Sequence, residues 1–172
     1  AARWRRNFDG GGDILVRGYY DRVDGSVPSL DSSIETWDLT FRHTVRPRGR
    51  HSITWGGGYR QIDDAYYVDG LFFLDPPEET NDLANLFAQD EISLTDELEL
   101  TLGVKVEESS YSGVEYLPSA RLAWTPADDT LLWGAVSRAV RTPARLDRDL
   151  KADGIFIGGP DYESEEVVAY EA

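Results

Sequence analysis

Glu97-Leu98-Glu99-Leu100-Thr101-Leu102-Gly103-Val104-Lys105-Val106-Glu107 decides the fold class. Leu98, Leu100, Leu102, Val104 and Val106 recur at every second position. In a strand all five fall on one face, opposite Glu97, Glu99, Thr101, Gly103, Lys105 and Glu107. A helix would scatter them around its circumference. The same period of two runs through much of the chain. In 34–45, Trp37, Leu39, Phe41 and Val45 oppose Thr36, Asp38, Thr40, Arg42 and Thr44. In 52–60, Ile53, Trp55, Gly57 and Tyr59 oppose Ser52, Thr54, Gly56, Gly58 and Arg60. Segments 13–21 and 119–125 alternate likewise. Residues 130–139 are apolar on both faces. Residues 83–94 fit either period and read as a strand, because they run into the Thr95-Asp96 turn. Residues 1–7 and 165–171 read as two further strand pieces.

The gaps between strands alternate in length. Those at 8–12, 46–50, 95–96 and 126–129 are short. Those at 22–33, 61–82 and 140–164 are long, and 108–117 is intermediate. Short turns on one rim and long loops on the other are the habit of membrane barrels. The strands are long enough to cross a bilayer when tilted, which takes about 9–11 residues. Gly56, Gly58 and Gly103 stand among charges on the polar faces, which suits a crowded lumen. Trp4, Tyr20, Tyr59 and Trp124 sit near strand ends, where an interfacial girdle would place them; the same rings would also serve an ordinary apolar core.

Composition narrows the function. The 172 residues carry 17 Lys plus Arg against 32 Asp plus Glu, for a net charge of −15. Residues 1–60 hold 10 basic and 7 acidic side chains, whereas residues 61–172 hold 7 and 25. A chain this acidic repels phosphate, so no nucleic-acid partner is expected. There is no Cys and hence no thiol nucleophile or thiolate metal site. There is no Met either, which points to an excerpt or a processed product. No apolar run approaches the ~18 residues of a membrane helix, a statement that leaves β-barrels untouched. His43 and His51 lack metal-ligand spacing, and no G-x-S-x-G occurs, so neither an enzyme nor a resident cofactor is expected.

Several stretches in order resemble TonB-dependent outer-membrane receptors. They are Phe87-Ala88-Gln89-Asp90-Glu91-Ile92, Leu98 through Lys105, Pro118-Ser119-Ala120-Arg121-Leu122, and Ser137-Arg138-Ala139-Val140-Arg141-Thr142-Pro143. Arg3-Trp4-Arg5-Arg6 and Tyr19-Tyr20-Asp21-Arg22 are similar to the same group. Gly159-Pro160-Asp161-Tyr162-Glu163-Ser164-Glu165 is similar to its N-P-x-L-x-P-E segment, with Ser164 where a Pro is usual.

The resemblance implies an all-β fold: an antiparallel up-and-down meander, excerpted from a large plugged transmembrane β-barrel of roughly 22 strands. Residues 1–172 would be part of that barrel, with the plug domain and the remaining strands absent. It further implies an outer-membrane transport receptor in a Gram-negative bacterium. Such a receptor takes up a scarce nutrient, such as a ferric siderophore or similar iron complex, or cobalamin, with energy supplied by TonB. Its partners would be outer-membrane lipid, its own N-terminal plug, the TonB complex through that plug, and the small-molecule nutrient. Two other architectures share the alternation: a small self-contained outer-membrane barrel of the porin or adhesin kind, and a soluble antiparallel β-domain that binds a ligand.

Candidate contacts lie in the long gaps. Loop 61–82 carries Tyr66, Tyr67, Phe72 and Phe73, which suit a mouth loop folding over ligand. The alternatives are self-packing against neighbouring loops, or a strand turn extending past the membrane. Asp63, Asp64 and Asp69 offer oxygens for Ca²⁺, although their spacing matches no defined calcium loop. In 140–164, Arg141 and Arg145, with Arg148 and Lys151, would attract an anionic chelate. The interleaved Asp147, Asp149 and Asp153 point instead to local salt bridges. Pro143 is expected to end strand pairing, since it lacks a donor.

Overall fold

The computed structural model describes residues 1–152, 155–156, 158–159 and 161–172. Asp153 and Pro160, read above as a loop acid and as part of a family segment, lie outside the described residues. The strands in chain order are β1 (Ala2–Asn7), β2 (Asp13–Val27), β3 (Leu30–Thr44), β4 (His51–Val68), β5 (Phe72–Leu74), β6 (Glu78–Ser93), β7 (Leu98–Ser109), β8 (Gly113–Ala127) and β9 (Thr130–Arg141). A short helix α1 (Arg145–Asp149) follows, then β10 (Leu150–Ala152), β11 (Ile155–Phe156) and β12 (Glu165–Glu171).

One antiparallel sheet runs β1-β2-β3-β4-β6-β7-β8-β9-β12, each strand pairing with the next strand of the same sheet in chain order. This is the expected meander, with strand at 83–94 as read. The sheet is open: β1 and β12 do not pair with each other. A second sheet of order β11-β10-β5 is built from loop segments alone.

Register sorts the side chains. Trp4, Val16, Phe41, Gly57, Leu86, Val106 and Tyr116 lie opposite one another in one row across seven strands. The next row on the other face is Arg5, Leu15, Arg42, Gly56, Phe87, Lys105 and Leu117. The first face is apolar and uncovered: Leu86 is 69% exposed, and Trp4, Tyr20, Tyr59 and Trp124 are all exposed on it. Leu102 is exposed there as well, while Thr101 and Lys105 lie on the opposite face. Among the described residues the buried apolar side chains are Leu15, Leu74, Pro143 and Ala152 alone. A water-soluble domain of this size needs a far larger apolar interior; a barrel wall instead gives its apolar face to lipid. The second face is luminal and polar. Arg5 and Arg42 both pair with Asp13, at 2.9 and 3.2 Å, Arg60 with Asp38 at 2.9 Å, and Lys105 with Glu107.

Gly56 and the triple glycine that ends the first turn show why small residues recur. A Cβ at Gly56 would lie 2.2 Å from the Phe41 carbonyl oxygen and 3.0 Å from the Phe87 ring. The lumen wall is crowded there by its own neighbours. Gly10, Gly11 and Gly12 all take positive φ, which closes the β1–β2 turn.

The loop lengths read from sequence need correction. Residues 22–27 and 30–33 are strand, and the β2–β3 connection is only Pro28-Ser29, with Ser29 at φ 75°. Likewise β4 continues to Val68 and β6 begins at Glu78, so most of 61–82 is hairpin rather than loop. Their outward rows turn polar above the aromatic girdle (Arg22, Glu35, Asp63 and Thr80 lie side by side), so the hairpins leave the membrane without leaving the ladder. Alternation there changes partner, from lipid to water, and an apolar-periodicity reading stops at that point.

Candidate functional site at the barrel mouth

The connection from β9 to β12 does not stand out into solvent. β9 ends at Arg141, just ahead of Pro143, which is buried and brings no N–H for further pairing. The chain then turns over the luminal face as a strap. α1 starts with the Asp147 carboxylate accepting the Ala144 N–H at 2.9 Å. β10 then pairs with β5 in the order Leu150–Leu74, Lys151–Phe73 and Ala152–Phe72. The Asp75 N–H donates to the Asp149 carbonyl at 3.0 Å, and Lys151 forms an ion pair with Asp75. The β4–β6 tip and the strap are thereby knitted into one small sheet across the mouth.

Arg145 locks this roof to the wall. Its Nη2 donates to the Pro76 carbonyl at 2.9 Å and its Nη1 to Asp149 at 3.0 Å. Its Nε lies 3.0 Å from Oδ1 of Asp64, on the luminal face of β4, and Nη1 lies 3.8 Å from Glu79 of β6. Arg145 and Asp64 are both buried. The Nε–H does not point along the line to Oδ1, so the two atoms attract as charges while neither completes a hydrogen bond. One guanidinium thus serves three carboxylates. Burial pushes the Asp64 carboxyl above the ordinary carboxylate range, Arg145 pulls it back, and Glu79 and Asp149 push it further up. Tyr66, next on the same face, has its phenol raised by burial.

Tyr111, in the β7–β8 turn, closes the far side. The Arg148 guanidinium stands 4.7 Å from its ring centroid, a cation–π contact. Burial raises the Tyr111 phenol to about 12, and its hydroxyl finds no partner. Sequence reading passed over Tyr111; no local pattern marks a turn tyrosine that packs under a strap arriving from two strands away.

The residues read as candidates separate as follows. Tyr66 and Arg145 converge on the roofed side, whereas Phe73 alternates with the buried Leu74 and stands beside Lys151 on the other face of the small sheet. Phe72 is in β5 but 51% exposed. Tyr67 points to the outer face, where its hydroxyl donates to the Glu78 carboxylate. Arg141 is exposed and pairs with Asp147 and Glu165, each at 3.1 Å. Both arginines are therefore engaged in ion pairs. Asp63 and Asp64 are successive strand residues and face opposite sides, and Asp63 accepts from Gln61 and Thr80. The exposed Asp69 sits at the tip, its N–H bonded to the Ser29 carbonyl. These three carboxylates are not brought together, and among the described residues no cluster of three or more potential metal ligands forms. His51 instead pairs with Asp90 at 2.6 Å, and His43 accepts the Trp55 indole N–H at 3.1 Å.

Arg138 was also passed over as a functional position. β8 and β9 pair only from Ser119–Ser137 onward. Pro118 offers no donor, so the strands part above it. Arg138 reaches into the split, donating to the Tyr116 carbonyl and pairing with Glu115 and Glu166 at 3.1 Å. A proline inside a strand pattern was the available signal.

An open antiparallel sheet with a lipid face, a charged luminal face and knitted loops over one end is a section of a large membrane β-barrel. The chain belongs to the TonB dependent receptor-like β-barrel family, whose sequence model matches residues 2–172. Among solved structures it is similar to the siderophore receptor PirA from Pseudomonas aeruginosa, with a TM-score of 0.81 and 18% identity over 96% of this chain and 32% of that one. It is also similar to the siderophore receptor PirA from Acinetobacter baumannii, with a TM-score of 0.74 and 15% identity over 98% of this chain and 30% of that one. The chain spans about a third of the length of those receptors. No match is found among curated protein sequences.

Proposed function

We propose that these residues are part of an outer-membrane receptor that takes up a scarce nutrient, a ferric siderophore or similar iron complex, or cobalamin, with energy from TonB. The observation that carries the reading is the roofed mouth. A polar, ion-paired lumen wall leads up to a small sheet of loop strands, with Tyr66 and Tyr111 beneath it. Such a mouth suits capture of a bulky solute from dilute solution: aromatic faces supply contact area, and a loop roof excludes water from the bound solute. The plug that would fill the lumen, and TonB acting through it, are the partners this reading requires.

The test uses the intact receptor in its native Gram-negative host. Deleting its gene should abolish uptake of one labelled nutrient among a panel of ferric siderophores, haem and cobalamin under starvation. Deleting tonB should abolish the same uptake. Uptake that survives loss of the proton-motive force would count against an energised receptor and favour a passive channel.

A further inference from the structure

The membrane-facing surface of β1 to β4 changes sign from one edge to the other. At the mouth edge the outward acids Asp24, Glu35 and Asp63 outnumber Arg22, and Asp82 and Glu108 continue them on β6 and β7. At the short-turn edge they are cationic and aromatic. The β3–β4 turn reads Arg46-Pro47-Arg48-Gly49-Arg50, all exposed. Arg50 is committed to the Leu94 carbonyl at 2.7 Å. Arg46 lies against the neighbouring turn, where a Cβ on Gly10 would come 2.8 Å from its Cζ. Among the described residues neither Arg46, Arg48 nor the outward Arg6 has a carboxylate at ion-pair distance. The other short turns carry acids instead (Asp9; Asp96 and Glu97; Asp128 and Asp129), so this is a local patch and not a property of the rim.

Aromatic rings stand beside the patch on the lipid face. Arg6 lies 5.5 Å from the Phe8 ring centroid, Phe8 packs edge-on to His43 at 6.3 Å, and His43 packs on Trp55 at 5.7 Å. From Trp55 a shallow groove rises along the membrane-spanning wall between Phe41, Leu86 and Val106, floored by Gly57. A Cβ on Gly57 would come 2.7 Å from Leu86 Cδ2, so only glycine leaves that floor low.

We infer that the β3–β4 turn and the groove above it form a binding site for an anionic phospholipid of the periplasmic leaflet. Arg46, Arg48 and Arg6 hold the headgroup phosphate, Trp55 and His43 lie at the glycerol level, and one acyl chain lies in the Gly57 groove. Charge complementarity selects the occupant. Unpaired arginines at the membrane edge attract lipid phosphate, and a net negative headgroup is preferred over a zwitterionic one by roughly fivefold for each arginine. The acidic mouth edge of the same surface would repel such a lipid, which places the site in one leaflet only. The inference rests on the membrane placement of the sheet and not on uptake, so transport assays do not bear on it.

The test reconstitutes the intact receptor in phosphatidylethanolamine vesicles containing a small fraction of phosphatidylglycerol brominated on its acyl chains. Tryptophan quenching is compared with that from the same fraction of brominated phosphatidylethanolamine. The difference between the native receptor and its Trp55→Phe variant isolates Trp55. Brominated phosphatidylglycerol should be enriched at Trp55 on the order of a hundredfold over brominated phosphatidylethanolamine, roughly fivefold for each of the three arginines. The Arg46→Gln/Arg48→Gln variant, which keeps the turn's backbone hydrogen bonds, should cut that preference to about fivefold, the share left to Arg6. Equal quenching by both lipids in the native receptor would overturn the site. So would a preference that survives undiminished in the double variant. Equal quenching together with salt-sensitive retention of an acidic periplasmic protein would assign the arginines to that protein instead.

Discussion

Arg145 and Asp64 meet 3.0 Å apart at the barrel mouth, although four strands of the sheet, β6 to β9, lie between the elements that carry them. That contact turns a connection into a roof. Both side chains are buried, and the backbone ladder between β5 and β10 continues the same junction. The roof is thus held to the wall by one buried guanidinium as well as by the backbone ladder.

Replacing Arg145 by Ala should release the strap. Removing one partner of a buried ion pair costs about 3–5 kcal/mol, because the remaining charge is stranded. Asp64, already raised by burial, would take up a proton and relieve part of that cost. Limited proteolysis of the intact receptor should show cleavage within 142–164 in the variant, with the barrel itself still resistant. Unchanged protection would mean that the small sheet holds the strap alone.

Asp64 should make docking of the strap depend on pH in an unusual direction. Its carboxyl is raised when docked, by burial first and by Glu79 and Asp149 in addition, against the pull of Arg145. The docked state therefore binds a proton more readily than the undocked one. On this account docking strengthens as pH falls toward the ordinary value of 3.8 and weakens as pH rises through the docked value. Hydrogen exchange in 145–152, measured against pH, should show that trend. Asp64→Asn should flatten it.

Side chains one residue apart should respond oppositely to charge. Leu86 faces lipid and is 69% exposed, whereas Asn85 lies beside Gly58 and Glu107 on the luminal face. Leu86→Arg should cost about 2–4 kcal/mol of barrel stability, the penalty for a cation near the bilayer midplane. Asn85→Arg should cost little, since Glu107 stands opposite. Unfolding midpoints in denaturant, followed by heat-modifiable gel mobility, measure both. Equal penalties would contradict the assignment of faces.

Arg138 should matter more than its half-buried setting suggests. Replacing it with Leu removes the donor that serves the Tyr116 carbonyl and leaves Glu115 and Glu166 to repel each other across the split. Amide exchange along 113–118 should accelerate, while 119–124, still paired with β9, should not change. Uniform exchange over both stretches would show that the split needs no filling.

Sequence alone determined the strand faces, their order and the family. Side-chain period in a strand is local, so the Leu98–Val106 stripe and most of the nine sheet strands were legible residue by residue, whereas 83–94, which fits either period, was legible only from the turn that follows it. The resemblance carried by Ser137 through Pro143 pointed to the barrel that the family match establishes. Two kinds of fact were not local. Above the girdle the outward residues face water, so the alternation loses its apolar half and hairpins such as 61–68 with 78–82 look like loops. Only the backbone ladder shows that they continue. The partners of the long connection were also hidden. Arg145 was visible as a cation among interleaved acids, but its partners Asp64, Glu79 and the Pro76 carbonyl lie far away in the chain, and Tyr111 lies beneath Arg148 for the same reason. Which charges meet depends on how the strap folds back across the curved wall, and that return path is set by pairing between β5 and β10 rather than by any pattern within either segment.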